Sequence, residues 1–154
     1  MAAPRKSIHI ALVGNPNSGK TSLFNALTGL HQKVSNFPGV TVDKKTGVST
    51  LDEEASSTLI DLPGTYSLYP RRADEWVAYK VLMKADEQIK PDVILLIADA
   101  SNLKRNLLFC TQVIDLKYPV VIALTMMDLA RKKGFEIDVA GLSLELGVPV
   151  VPVS

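Results

Sequence analysis

Residues 8–24 read Ile8-His9-Ile10-Ala11-Leu12-Val13-Gly14-Asn15-Pro16-Asn17-Ser18-Gly19-Lys20-Thr21-Ser22-Leu23-Phe24. The apolar run over 8–13 predicts a buried strand. From Lys20 the apolar residues Leu23, Phe24 and Leu27 recur at helical spacing, and Gly29 supplies a stop. Between strand and helix, Gly14 to Thr21 fits G-x-x-x-x-G-K-[ST] without a mismatch. That junction is where a phosphate-binding loop has to sit. Its glycines let the backbone wrap an anion, its N–H groups point inward, and the helix N-terminus adds partial positive charge. Gly14, Asn15, Pro16, Asn17, Ser18, Gly19, Lys20, Thr21 and the adjoining Ser22 are therefore candidate nucleotide-binding residues. Lys20 is expected to bridge the β- and γ-phosphates, and Thr21 to offer its hydroxyl to Mg²⁺.

The rest of the chain alternates in the same way. A polar stretch around Asn36, Pro38 and Gly39 reads as loop. Strands are predicted over 42–51 and 58–60, around the acidic turn Asp52-Glu53-Glu54, and a loop over 62–72. An amphipathic helix is predicted over 74–85, with Trp76, Val77, Tyr79, Val81 and Leu82 as its apolar surface. Strands over 93–98, 120–124 and 148–153 alternate with a helix over 103–116 and a broken helical region over 128–146. The count is six strands in one domain, residues 1–154. Continuous apolar strand runs between helices mean an α/β fold with a mostly parallel sheet covered on both faces. The last strand, with Val148, Val150, Val151 and Val153, is expected to be buried on both sides.

The charge balance is near neutral, +1 from 17 basic and 16 acidic residues, so no basic field points to a nucleic-acid partner. The single cysteine, Cys110, precludes an internal disulfide and reads as a small buried residue. No apolar run approaches the ~20 residues that span a bilayer.

Two more segments complete a candidate site. Asp61-Leu62-Pro63-Gly64 fits D-x-x-G at the end of a strand, some 40 residues past the phosphate loop. Asp61 can hold a Mg²⁺-bound water, and the Gly64 N–H can meet a γ-phosphate and pivot when it leaves. Thr41, on the loop between, is a candidate second Mg²⁺ ligand or a solvated loop threonine. After the fifth strand, Thr125-Met126-Met127-Asp128 falls where guanine-specific loops carry N-K-x-D. The Asp128 carboxylate can accept from the N1–H and the N2 amino group of guanine, a donor pair that adenine lacks. Its alternative role is a helix N-cap. The asparagine usual at this place contacts the base and ties the loop to the phosphate loop; Thr125 replaces it, as in Rho-type GTPases, and is expected to weaken guanine binding. Met126, Val153 and Ser154 complete the candidate base side.

The strings GNPNSGKTSLFNALTG (14–29), NFPGVTVDKKTG (36–47), IDLPGTYSL (60–68), DASNLKRNL (99–107) and PVVIALTMMDLA (119–130) resemble the N-terminal G domain of FeoB-type ferrous iron transporters. The resemblance covers nearly the whole chain. It implies a Ras-like P-loop GTPase fold with one antiparallel edge strand and the C-terminal helix missing. It implies binding of GTP and GDP with Mg²⁺, and slow GTP hydrolysis with Lys20, Thr41, Gly64 and Asn17 as the catalytic set. It further implies K⁺ activation, with K⁺ held by Asn17 and by switch I carbonyls around Ser35 and Phe37. The partners implied are a helical segment like a guanine-dissociation inhibitor and a transmembrane iron permease, at the cytoplasmic face of the inner membrane. Thr65 and Tyr66 stand where Ras-type enzymes have a water-orienting glutamine, so no side chain is assigned that task. The short form is expected to self-associate. A ribosome-associated GTPase of the Era type and a non-catalytic nucleotide-dependent switch remain as alternatives.

Overall fold

Gly14 ends one strand and Asp61 another, and the two strands lie side by side: Leu12 pairs with Asp61 in parallel register. This pairing builds the fold around the phosphate loop. The computed structural model describes residues 6–29, 32–50 and 55–153; Ser154 and the turn Asp52-Glu53-Glu54 lie outside them. The chain order is β1 (Lys6–Gly14), α1 (Lys20–Thr28), β2 (Gln32–Asn36), β3 (Asp43–Thr50), β4 (Ala55–Asp61), α2 (Ala73–Leu82) and β5 (Val93–Asp99). A 3₁₀ turn (Ala100–Asn102) leads into α3 (Leu103–Ile114), β6 (Val120–Thr125), α4 (Met127–Lys132), α5 (Val139–Leu146) and β7 (Val150–Pro152).

The sheet runs β2-β3-β4-β1-β5-β6-β7. Strands β4, β1, β5, β6 and β7 are mutually parallel. β3 is antiparallel to β4, and β2 is antiparallel to β3. The sheet thus has seven strands, one more than the sequence reading. The extra strand is β2, placed by that reading in a loop. Its burial explains the miss: Lys33, Val34, Ser35 and Asn36 are all exposed. An edge strand needs only backbone pairing, so it shows no alternation of apolar and polar residues. The antiparallel strand β3 consequently lies one place in from the edge.

Alternate residues divide the core in two. Ala11, Val13, Ile94, Leu96, Ile122 and Leu124 join Val81, Leu82, Phe109 and Val113 of α2 and α3. Leu12, Leu59, Ile97 and Ala123 point the other way, onto Phe24 of α1. Cys110 is buried against α3's side of the sheet, and burial pushes its thiol up to about 12, so it is an inert packing residue. Trp76 departs from expectation: it faces solvent and packs edge-on against Tyr79, while Ala78, Val81 and Leu82 bury α2. β7 departs too. Val150 is buried, but Val151 is 47% exposed and Pro152 is exposed as well, so only the first residue of the strand is buried. α1 packs over β1, β3 and β4, away from that flank.

The α1 side is the thinner core and rests on Phe24. Phe24→Ala is expected to cost about 3–5 kcal/mol, a large part of a domain's ~5–15 kcal/mol. Urea unfolding should show a lower midpoint with an unchanged slope.

Candidate functional site

β1 lies between β4 and β5 at the point where the strand order reverses, and in open α/β sheets that crevice takes ligands. Gly14 has no room for a side chain: a Cβ there would stand 2.8 Å from the Ile97 carbonyl oxygen and 3.1 Å from Ser18 Oγ. Asn17 (φ 63°) and Gly19 (φ 89°) take left-handed conformations that turn the loop into α1. The first helical turn carries no acidic side chain to occupy its N–H groups. Thr21 and Ser22 are exposed there. The loop thus wraps tightly from β1 into α1, with the first-turn N–H groups of the helix beside it.

The D-x-x-G segment packs directly on it. The Thr65 N–H donates to the Gly14 carbonyl at 3.0 Å. A Cβ on Gly64 would stand 3.0 Å from both N and Cα of Pro16. The Lys20 ammonium donates to Asp61 Oδ1, and both side chains are buried. A buried ion pair recovers its desolvation cost only with further partners. A polyphosphate would supply them for Lys20, and a hydrated cation for Asp61. A cleft of about 420 Å³ opens here, lined by Lys20, Thr41, Asp61 and Gly64 among others. Thr21, Thr41 and Asp61 offer two hydroxyls and one carboxylate, all oxygen donors. That set fits Mg²⁺, which takes few protein ligands alongside phosphate and water.

Thr41 sits on the turn of the β2–β3 hairpin, between Phe37, which is buried, and Asp43. The Phe37 N–H donates to the Val42 carbonyl at 3.0 Å, and the Val40 N–H donates to the Phe37 carbonyl at 3.3 Å. Of the residues expected around K⁺, Asn17 is exposed and lines a second cavity, on the α3 side of the loop. Ser35 stands in the hairpin opposite Lys44, and the Phe37 carbonyl is engaged. One donor for K⁺ is therefore free, and the others belong to the hairpin in this conformation.

On the base side, the Thr125 hydroxyl is 2.5 Å from the Ser18 carbonyl and 3.1 Å from the Ala98 carbonyl. The hydroxyl thus ties this loop to the phosphate loop, the mechanical role of the usual asparagine. Met126, in left-handed conformation at φ 59°, caps α4, and its methyl group lies over Gly19. The cap is Met126, not Asp128. Asp128 is exposed in the first turn and has no partner among the described residues, so its carboxylate is free to accept. The Val153 N–H donates to the Leu124 carbonyl at 3.0 Å.

Glu75, Asp99 and Asn106 were not among the residues the sequence singled out. Thr65 is buried, with its hydroxyl within reach of the Ser67 carbonyl and Glu75 Oε2. It is thereby withdrawn from the water-orienting position. Glu75 also accepts from the backbone N–H groups of Arg71 and Arg72 and so pins the start of α2. The signal for it was the acidic residue at the third helical position. Asp99 and Asn106, on β5 and α3, form a buried polar network beside the phosphate loop.

A phosphate loop at the switch point, a D-x-x-G segment packed on it and a free aspartate after β6 define a Ras-like G domain. The chain matches the family model described as "Ferrous iron transport protein B" over residues 8–154. It is 47% identical over 152 residues to the Fe(2+) transporter FeoB of Salmonella typhimurium, covering 96% of this chain and 19% of that protein. It is similar to a GDP-bound mutant of the S. thermophilus FeoB G-domain, with 48% identity, TM-score 0.85, and coverage of 96% of this chain and 54% of that one. It is similar as well to the cytosolic domain of the T. maritima FeoB iron transporter in GMPPNP form, with 46% identity, TM-score 0.87, and coverage of 96% and 56%. The chain belongs to the ferrous iron transport protein B family, and it spans about a fifth of the length of its curated relative.

Thr125→Val keeps the shape and removes the hydroxyl that holds the Ser18 carbonyl. It is expected to destabilise the fold by about 1 kcal/mol, read as a lower urea midpoint.

Proposed function

We propose that this chain binds GTP and GDP and hydrolyses GTP slowly, as the nucleotide-responsive domain of a ferrous iron transporter. The observation that carries the reading is the buried Lys20–Asp61 pair, where the phosphate loop meets the D-x-x-G segment. Asp128 supports guanine over adenine, because its free carboxylate can accept two donors that only guanine presents. The relatives crystallised with GDP and GMPPNP support the same choice.

When bound, Mg²⁺ would neutralise phosphate charge, held through Thr21, Thr41 and Asp61. Lys20, freed from Asp61, stabilises negative charge developing on the β- and γ-phosphate oxygens. The Gly64 N–H faces the γ-phosphate. Neither residue after Gly64 is assigned as a base: Thr65 is buried and engaged, and the Tyr66 ring lies against Arg105. Slow turnover follows, on the order of 10⁻⁴–10⁻² s⁻¹ by analogy with unassisted Ras-type enzymes. Asn17 is the residue of this chain that would hold K⁺.

The iron permease, the helical segment like a guanine-dissociation inhibitor and the inner-membrane setting belong to this proposal, supported by the family and by the fraction of its relatives that the chain spans. Among the described residues no helix is long and apolar enough to cross a membrane. Self-association of this chain is proposed through the β6–β7 flank, where Val151 is exposed and Val121 half-buried. Light scattering across concentrations should show a rising apparent mass; a constant monomer mass removes the proposal.

Titration with GDP, a GTP analogue and ATP tests the central reading. Guanine nucleotides should bind and ATP should not, and Lys20→Ala should abolish binding at micromolar concentration. Equal affinity for ATP, or unchanged affinity in Lys20→Ala, overturns it. Single-turnover phosphate release separates an enzyme from a passive switch. Release should be faster in K⁺ than in Na⁺, with the difference lost in Asn17→Ala.

A further inference from the structure

The stretch between Asp61 and α2 has no helix or strand of its own, so its backbone polar groups must find partners elsewhere. Its start is pinned to β1: the Leu62 N–H donates to the Leu12 carbonyl at 3.1 Å, and the Thr65 N–H to the Gly14 carbonyl at 3.0 Å. Its end is pinned to α2, where the Arg71 and Arg72 N–H groups donate to Glu75 Oε1. Residues 66–70 bridge the two pins. Among the described residues, one hydrogen bond ties that bridge to another element: the Leu68 N–H donates to Gln112 Oε1 of α3 at 2.9 Å. The Tyr69 N–H reaches only back to Ser67 Oγ.

A second contact comes from the same helix. The Arg105 guanidinium lies 4.4 Å from the centre of the Tyr66 ring, within cation–π range. Arg105 forms no ion pair among the described residues. Arg105 and Gln112 stand about two helical turns apart, so they share one face of α3. Leu68 adds its side chain, which packs against the core that α2 and α3 share. The middle of the stretch is thus moored to α3, at Tyr66 by a ring contact and at Leu68 by its backbone.

Gly64 gives that mooring a consequence. A glycine backbone takes many conformations unless its neighbours fix it. Gly64 lies on Pro16, where a Cβ would stand 3.0 Å from Pro16 N and Cα, and the moored bridge begins two residues further on. Under the proposed function its N–H meets the terminal phosphate of GTP, which GDP lacks. Ordering Gly64 in advance therefore favours the triphosphate alone.

We propose that Arg105 and Gln112 are positioning residues: by mooring Tyr66 and Leu68 to α3 they hold the Gly64 N–H in place for a terminal phosphate and so set the preference for tri- over diphosphate. The inference rests on the nucleotide-binding reading and deepens it.

The test measures GMPPNP and GDP affinities by titration of this chain and its variants, and reads their ratio. Gln112→Leu removes the acceptor. It should weaken GMPPNP about two- to tenfold, the worth of one hydrogen bond, and leave GDP unchanged. Gln112→Glu keeps an acceptor oxygen for the Leu68 N–H and should retain most of the wild-type ratio. Arg105→Ala should weaken GMPPNP about two- to fivefold, the range of an exposed cation–π contact. Arg105→Lys should recover part of that loss. Arg105→Ala combined with Tyr66→Leu should lose no more than the worse single variant, because both remove the same contact. Arg105 is exposed, so its variants decide the matter if Gln112→Leu folds poorly. An unchanged ratio in Gln112→Leu or in Arg105→Ala, strictly additive losses in the pair, or equal losses for both nucleotides overturns the mooring. If Lys20→Ala retains GDP, the nucleotide-site reading itself falls; if Lys20→Ala loses both nucleotides and the mooring variants keep the wild-type ratio, only the mooring falls.

Discussion

At the C-terminal end of β1 the backbones of three segments come together, and the rest of the molecule is arranged around that point. Gly14 abuts the Ile97 carbonyl of β5 on one flank, and its own carbonyl takes the Thr65 N–H from the segment after β4 on the other. Backbone groups of three segments meet where no Cβ fits. Strands β4, β1 and β5 must therefore run parallel and in register, and their connections must cross the sheet faces as helices. The phosphate loop, the D-x-x-G segment and the buried network after β5 become neighbours as a consequence.

Charge is concentrated at the same place. Lys20 and Asp61 are both buried, and each is the other's partner. Separate ligands for the two, an anion and a hydrated cation, would replace one pair by two better-satisfied ones. Under the proposed function, that exchange would couple the binding of a nucleotide to that of a cation. The D-x-x-G segment is coupled to it because Gly64 lies on Pro16 and Thr65 on Gly14. Glu75 extends the link to α2 by accepting from Thr65, Arg71 and Arg72.

Thr125 shows how a departure from a familiar pattern can keep its mechanical role. The residue sits at the end of β6, beside the Ser18 carbonyl, and needs only one short donor to bridge to it. A hydroxyl meets that requirement. Threonine has no second polar group to offer a base, so under the proposed function base recognition would fall to Asp128. The family membership and the free carboxylate are consistent with that division of labour.

The phosphate loop, Asp61, the buried strands β5 and β6 and the helices α1 and α3 were legible in the sequence, because each rests on local spacing. A glycine pattern at a strand–helix junction and an unbroken apolar run carry their meaning within about ten residues. The sequence by itself determined the fold class, the family and the position of the candidate site. The tertiary structure decided what depends on distant partners. β2 is a strand only because β3 offers it a backbone edge, and its exposed side chains leave no periodic trace. Val151 is exposed although its β6 partner Ala123 is buried, because β7 is the edge strand of the sheet. Asn15 belongs to the phosphate-loop motif by sequence, yet it lines one cavity with Asp99 and Asn106, which lie more than eighty residues away in the chain. Side-chain direction at a turn is set by the left-handed residues around it and by whatever packs behind, and no local pattern encodes the second of these.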